Sequence, residues 1–278
     1  MADSENVINQ PGCGFLGHLI SAPSIPQFPY QGRARFLNDY KSTINHHEWI
    51  LVTGVSNEVF EADYAETEDK GSPFSAWCAY DKALGLLLFK MTGPFHGIAS
   101  ETFAHVFINA TEPTVMELSL NKIGTTLHSA TMGRKRPDKA WRPLRLPHGR
   151  SRQWPSAVLE VAYSETTAKL QSDVRYWLRA SDGDVKLVFT LHVDQREPRI
   201  TIEKWESDNG GNGRGHLHQR VVISRRGNGT IAVSGSPLVA GFEKLFLRPP
   251  ELPRERDIEV NEQKLRHIAE MVWDEQGL

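Results

Sequence analysis

The stretch Val158-Leu159-Glu160-Val161 places a single acid at the centre of an apolar run that Pro155 bounds on its N-terminal side. A short apolar run of this kind predicts a buried strand over residues 157–161. A carboxylate is costly to bury unless it is paired, hydrogen-bonded or bound to a cation. The run therefore predicts that Glu160 either belongs to a functional site or is a buried acid satisfied by an arginine or by backbone groups.

The residues that follow this strand predict a helix. Leu170, Val174 and Leu178 recur at a spacing of four residues over 166–178, and Ser164 or Thr166 can cap the helix start. Lys169 lies in the first turns, where a long side chain can reach back over the end of the strand. The alternative is a solvated lysine that pairs with Glu165 at a spacing of four residues.

A second acid, Asp138, precedes the strand by about twenty residues and follows Pro137 directly. Two acids on neighbouring strand ends, with a lysine close by, are the components of a magnesium-dependent site that cleaves phosphodiester bonds. The alternative for Asp138 is a solvated turn residue, because the Pro-Asp pair commonly marks a turn.

Asp138 lies in a basic segment, and residues 134–152 hold eight lysines and arginines and one acid. Its prolines predict a loop or an extended hairpin rather than a helix. Basic side chains neutralise phosphates without reading sequence, so the segment predicts a nucleic-acid-binding rim. Its predicted members are Arg134, Lys135, Arg136, Lys139 and Arg142. A solvated loop and a nuclear-import patch are the alternatives.

The composition of the 278 residues is that of an ordinary soluble globular protein, with 24% charged and 39% hydrophobic residues. The formal net charge of −2 does not by itself predict nucleic-acid binding, so any basic surface is local. Cys13 and Cys78 are too few for a disulfide framework, and the histidines and cysteines lack zinc-site spacing. No secretory signal or membrane span is recognised, which predicts a cytoplasmic or nuclear protein.

The remaining pattern divides the chain into three predicted segments. Residues 1–45 are rich in Pro, Gly, Asn and Ser and predict a loosely ordered arm, and residues 249–278 predict an amphipathic helical appendage. Residues 46–248 predict an α/β domain. It begins with strands at 49–52, 76–80 and 84–91 in an antiparallel meander, and a helix follows over 96–109. The order of strands and helices predicts one mixed sheet flanked by helices.

Several landmarks in this order resemble the restriction-endonuclease-like domains of the PD-(D/E)xK superfamily, in the form found in uncharacterised fungal proteins. The resemblance covers about residues 75–206. It is carried by Gly93, the helix near His96-Gly97, Gly124-Thr125-Thr126, Pro137-Asp138, Trp154 to Glu165, Lys169 to Leu178 and Ile200 to Glu206.

The resemblance implies an α/β (α+β) restriction-endonuclease-like fold and a nuclease that acts on DNA or RNA. It implies that Asp138 and Glu160 hold Mg²⁺ or Mn²⁺. The superfamily places a lysine two residues after the glutamate, where this chain has Ala162. Lys169 on the following helix is the expected replacement, and the superfamily's acid at the first helix corresponds to His96, which is otherwise a capping or core histidine. The broken motif leaves open a catalytically inactive nuclease-fold module that binds nucleic acid, or a protein partner through the C-terminal helix.

Overall fold

The computed structural model describes residues 14–20, 25–43, 47, 49–65, 72–90, 93–113, 120–123, 128–130, 132–163, 167–207, 215–227 and 229–278. These residues form two compact units. The large unit holds the described residues of 94–126 and 137–278, and the small unit holds those of 14–93 and 127–136. Within the described residues, no helix is both long enough and apolar enough to cross a membrane.

The helices are α1 (Arg33–Thr43), α2 (Asn57–Phe60), α3 (Pro94–Thr111), α4 (Thr167–Ala180), α5 (Phe242–Phe246) and α6 (Glu262–Gln276). The first strands are β1 (Gln27–Pro29), β2 (Trp49–Thr53), β3 (Trp77–Asp81), β4 (Leu86–Lys90), β5 (Leu120–Lys122), β6 (His128–Ala130), β7 (Gly133–Lys135) and β8 (Lys139–Pro143). The later strands are β9 (Ala157–Ala162), β10 (Leu187–Val193), β11 (Arg199–Ser207), β12 (Gly215–Arg225), β13 (Ile231–Ser234), β14 (Leu238–Ala240) and β15 (Ile258–Val260).

The large unit is built on a seven-stranded sheet in the order β13-β12-β11-β10-β9-β8-β5. β9 and β10 are parallel and are connected through α4, whereas the other neighbouring strands are antiparallel. Every residue of β9 is buried, as expected of a central strand that is covered on both faces. The prediction of a mixed sheet flanked by helices is therefore confirmed.

Successive side chains of β9 alternate between two helical layers. Ala157, Leu159 and Val161 belong to the core cluster that also contains apolar residues of α3 and α6. Glu160 points the other way, toward α4, which packs on β9 to β12. The two faces of this sheet therefore have different coverings, with α3 and α6 on one side and α4 on the other.

α6 is a long helix with clear end signals. The Asn261 side chain accepts a hydrogen bond from the Lys264 N–H at 3.0 Å, and Gly277 ends the helix at φ 71°. The predicted amphipathic helix at the C-terminus is thus present. Leu265, Ile268 and Trp273 are among its buried residues and belong to the core of the large unit, so its apolar side already packs against the rest of that unit.

The small unit has a six-stranded sheet in the order β1-β2-β4-β3-β7-β6, and its core is rich in aromatic side chains. Asp81, at the end of β3, is fully buried. One of its carboxylate oxygens accepts hydrogen bonds from the N–H groups of Phe15 and Leu16, at 2.6 and 2.9 Å. The other accepts from Ala83 and Leu84, at 3.1 and 3.3 Å. Asp81 thereby fastens the segment 14–20 to the β3–β4 turn.

Several local predictions differ from the observed elements. The strands predicted within residues 49–91 pair antiparallel, but they form a second sheet in which β4 lies between β2 and β3. Residues 25–43, predicted to be loosely ordered, hold β1 and α1. The basic segment 134–152, predicted to be a loop or an extended hairpin, contains β8 and the end of β7, which belong to different sheets. The sequence also predicts a strand at 114–120, of which residues 114–119 lie outside the described residues. The two units also have different bounds from the three predicted segments 1–45, 46–248 and 249–278.

Candidate functional site

Asp138 lies directly before β8, at the end of the sheet where β9 finishes. In the antiparallel pairing of these strands, Lys139 lies opposite Leu159 and Ala140 opposite Val158. Continuing this register by one residue brings Asp138 to the position across from Glu160. The two predicted metal ligands therefore occupy neighbouring backbone positions at one end of β8 and β9.

The Asp138 carboxylate contacts two groups of the large unit. Its Oδ2 accepts a hydrogen bond from the Val161 N–H at 2.7 Å. The same oxygen lies 3.0 Å from Nε2 of His96, which is buried in the first turn of α3. His96 is therefore a core histidine at the helix start, as favoured by the sequence, and it meets one of the candidate acids. Asp138 is an oriented residue of low exposure rather than a solvated turn residue.

The Glu160 carboxylate is 2% exposed and has a donor on α4. Its Oε1 accepts a hydrogen bond from the indole Nε1–H of Trp177 at 2.6 Å. Burial of an acid in an apolar strand requires such compensation. Sequence reasoning named arginine or backbone groups as the alternative partners and missed the indole. The signal available was the position of Trp177 eight residues after Lys169, on the same stripe of a helix of 3.6 residues per turn.

Lys169 is buried on α4 and forms an ion pair there. Its Nζ lies 2.5 Å from Oδ2 of Asp173, and the two residues are 3% and 0% exposed. The sequence offered Arg175, Lys169 or solvent as partners of Asp173 without choosing among them, and the structure shows Lys169. Glu165, the alternative partner of Lys169, lies outside the described residues. Lys169, Asp173 and Trp177 are spaced by four residues, so they form one polar row on the buried stripe of α4.

The contacts of the predicted site residues come from two different helices. Asp138 meets α3 through His96, whereas Glu160 accepts a hydrogen bond from Trp177 of α4 and Lys169 pairs with Asp173 within α4. In the part of the chain that the structure describes, no group of three or more His, Cys, Asp or Glu side chains is arranged to hold a metal ion. The assignment of Asp138 and Glu160 as a pair of metal ligands stays a prediction, as does the catalytic role of Lys169.

Two of the predicted phosphate-binding residues belong to the interior of the small unit. Arg136 donates to the carbonyl oxygens of Ser75 and Trp77 at 2.6 and 3.1 Å and lies over the Trp77 ring. Burial lowers the pKa of Arg136 from its usual value. Lys135 is 1% exposed. Positions that are buried in this way hold their charge inside the unit, where a phosphate has little access.

The other predicted basic residues are more accessible but also have contacts within their own units. Arg134 forms an ion pair with Glu61 at 2.5 Å. Lys139 forms an ion pair with Glu101, and Arg142 donates to the carbonyl oxygen of Arg152. Burial also lowers the pKa of Arg142. Their role in nucleic-acid binding stays a prediction.

Comparison with known proteins gives a distant likeness in structure. No family model matches this chain, and no curated protein matches its sequence. A solved structure from Anabaena variabilis, described as "a putative nuclease belonging to DUF820", resembles this chain with a TM-score of 0.41 and 10% sequence identity. The likeness covers 78% of this chain and 99% of that chain. At this distance no residue role passes from one protein to the other, and the roles predicted for Asp138 and Glu160 stay predictions.

Proposed function

We propose that this chain is a divalent-metal-dependent, nuclease-like protein that hydrolyses phosphodiester bonds of DNA or RNA. The observation that carries the proposal is the register of β8 and β9, in which Asp138 comes to the position across from Glu160. The sequence resemblance to PD-(D/E)xK domains selects the same two residues. A nucleic-acid substrate also fits the cytoplasmic or nuclear location that the sequence predicts.

The donor chemistry of these residues fits Mg²⁺ or Mn²⁺. Both supply carboxylate oxygens, and Mg²⁺ is commonly bound through one or two carboxylates together with waters and substrate phosphates. A pair of acids is therefore sufficient, and a third protein ligand is not required. A divalent cation held there would stabilise charge on the phosphate and activate the attacking water.

The surrounding residues would orient this pair. The Val161 N–H donates to one oxygen of Asp138 and His96 lies beside the same oxygen, while Trp177 donates to one oxygen of Glu160. We propose that Lys169 orients the attacking water in place of the lysine that the superfamily has at Ala162. Asp173 then sets the position of the lysine amine.

The proposal is tested by cleavage of labelled DNA and RNA with Mg²⁺ or Mn²⁺, using purified full-length protein. Glu160→Gln keeps an oxygen that can accept from Trp177 but removes the negative charge. We expect it to lower the cleavage rate by more than about 100-fold, because even the loss of a supporting contact at a metal ligand costs 10–100-fold. Glu259→Gln, at an exposed position of β15, is the matched control and should cleave like the unaltered protein. Equal cleavage by the two variants would remove the site assignment.

A second candidate is a nuclease-fold module that binds nucleic acid or a protein without cleaving. Two observations favour it: Ala162 is fully buried at the lysine position, and Lys169 is held by Asp173. In this case nucleic-acid affinity would be the same with and without Mg²⁺, and no substrate would turn over. A protein partner would contact the outer side of α6, where Met271 is exposed.

A further inference from the structure

An open cleft lies on the same face of the seven-stranded sheet as Glu160. Its floor is formed by β10, β11 and β12, and one wall by Leu170 and Gln171 of α4. In the register of these strands, Thr190 lies opposite Glu160 on one side and opposite Glu203 on the other. Glu203 in turn lies opposite Arg220 on the next strand. Neighbouring strands lie about 4.8 Å apart, and Glu160 and Glu203 are two strands apart, so about 10 Å separates their backbone positions across the sheet.

Arg220 is held in the cleft by an ordered network. Its Nε donates to Oε1 of Glu203 at 2.7 Å, and Trp205 donates to Oε2 of Glu203 at 3.1 Å. The Arg220 side chain is half exposed, whereas Glu203 is largely buried beneath it. The two terminal nitrogens of this guanidinium have no hydrogen bond to other described residues. A guanidinium fixed at Nε and open at both terminal nitrogens is suited to a phosphate.

Other polar side chains in the cleft also have unused hydrogen-bonding capacity. Gln171 and His192 make no side-chain hydrogen bond to the rest of the described chain, and both line the cleft. Burial lowers the pKa of His192, so its neutral ring offers one donor and one acceptor near pH 7. Arg199 is exposed at the rim and adds a second positive charge. Two arginines against one glutamate give the cleft lining a net positive charge, which favours an anionic ligand.

The size of the cleft indicates how much of a ligand it can hold. Its volume is about 240 Å³, below the range of roughly 300–1,000 Å³ that is usual for sites that enclose a whole small molecule. A cleft of this size fits one unit of a longer molecule better than a complete cofactor.

We propose that this cleft binds one phosphate-bearing nucleotide of a nucleic-acid strand, next to the scissile bond. The inference rests on the proposed function, because it names the part of the substrate that the sheet face holds. Arg220 and Arg199 contact the phosphate, and Gln171 and His192 hydrogen-bond to the sugar or base. A free mononucleotide presents the same phosphate chemistry and is the competing source.

The test measures binding without cleavage. A fluorescein-labelled single-stranded oligonucleotide is titrated with the full chain in EDTA, and anisotropy is followed at several salt concentrations. One phosphate contact to a single strand contributes about 0.7 to the slope of log K against log salt. We expect Arg220→Gln to weaken binding about tenfold, or about 1.4 kcal/mol, and to lower the magnitude of this slope by about 0.7.

Matched variants distinguish the loss of a specific contact in the cleft from the general effect of removing one positive charge. Arg199→Gln changes an exposed side chain whose loss should leave the fold intact, and it should reduce affinity and salt slope in the same direction. Arg266→Gln removes the same charge from α6, which covers the opposite face, and should leave both quantities unchanged. If Arg199→Gln and Arg220→Gln both behave like Arg266→Gln, the cleft proposal is overturned.

Two further comparisons identify the ligand source and separate this inference from the proposed function. Thymidine 5′-monophosphate should not displace the oligonucleotide at concentrations up to about 1 mM, and displacement in the micromolar range would overturn the strand assignment. If binding depends on Arg220 but the protein cleaves no substrate, the cleft proposal stands and the proposed nuclease function is wrong. If cleavage depends on Glu160 but not on Arg220, the proposed nuclease function stands and the cleft proposal is wrong.

Discussion

The buried side of α4 and the open cleft beside it both hold polar side chains, but those on α4 have partners within the protein and those in the cleft have unused hydrogen-bonding groups. On the buried side, Lys169 pairs with Asp173 and Glu160 accepts from Trp177, all at 3% exposure or less. In the cleft, the terminal nitrogens of Arg220 and the ring of His192 make no hydrogen bond to other described residues. Buried charges need partners to be tolerated, whereas open polar groups are available to a ligand. Substitutions of the partners Asp173 and Trp177 should therefore act on stability, and those in the cleft on binding.

The largest effect is expected from Asp173→Asn. It removes the negative charge that Asp173 places beside the buried Lys169 ammonium, and breaking a buried pair in this way costs about 3–5 kcal/mol. Urea unfolding measures the change in the free energy of unfolding. The control is Glu262→Gln, which breaks the exposed pair with Arg266 at the same spacing of four residues and should cost less than about 1 kcal/mol. Similar losses in both variants would show that burial does not distinguish the two pairs.

Trp177→Phe should have an intermediate effect. It removes the indole donor to Glu160, and a hydrogen bond to a charged group contributes about 1.5–3 kcal/mol. Trp273→Phe is the control, because Trp273 is equally buried but its Nε1 has no hydrogen-bond partner among the described residues. Urea unfolding of both variants should show the larger loss for Trp177→Phe. A larger loss for Trp273→Phe would mean that packing, rather than the donor, determines the contribution of Trp177.

The smallest effect is expected from His192 and concerns pH. Burial is the largest cause of its lowered pKa, while Asp194 and Glu203 oppose the shift and Arg199 adds to it. The unfolded chain then takes up this proton first as pH falls below about 6.5, so folding loses stability on the acid side and loses none above neutral pH. His192→Gln should reduce the decline in stability between about pH 7 and pH 5. An unchanged pH profile of thermal unfolding would contradict the assignment.

Elements with a clear pattern of apolar residues were predictable from the sequence. The recurrence of Leu170, Val174 and Leu178 predicted α4, and the apolar run around Glu160 predicted β9. β8 was predicted only as part of a loop or an extended hairpin. Prolines and basic residues mask its alternation, and its partner strand β9 is separated from it in sequence. Long-range pairing of this kind leaves little trace in local composition.

The polar contacts were less predictable than the elements. A lysine and an aspartate four residues apart normally indicate a solvated helix face, and only the packing of α4 on the sheet buries Lys169 and Asp173. The cleft joins Gln171, His192 and Arg220, which come from three elements far apart in the chain. No spacing rule connects such residues, because the strand order alone brings them together.

Asp81 shows how a residue remote from any proposed chemistry can look like a catalytic one. Its two oxygens serve four backbone amides, and an asparagine, with one such oxygen, would leave amides of the turn or of the segment 14–20 unsatisfied. Selection should therefore preserve this aspartate in related proteins whether or not they retain activity. An alignment of homologues would then show an invariant acid at this position. Its conservation would reflect the backbone hydrogen bonds that it accepts and not a role in catalysis.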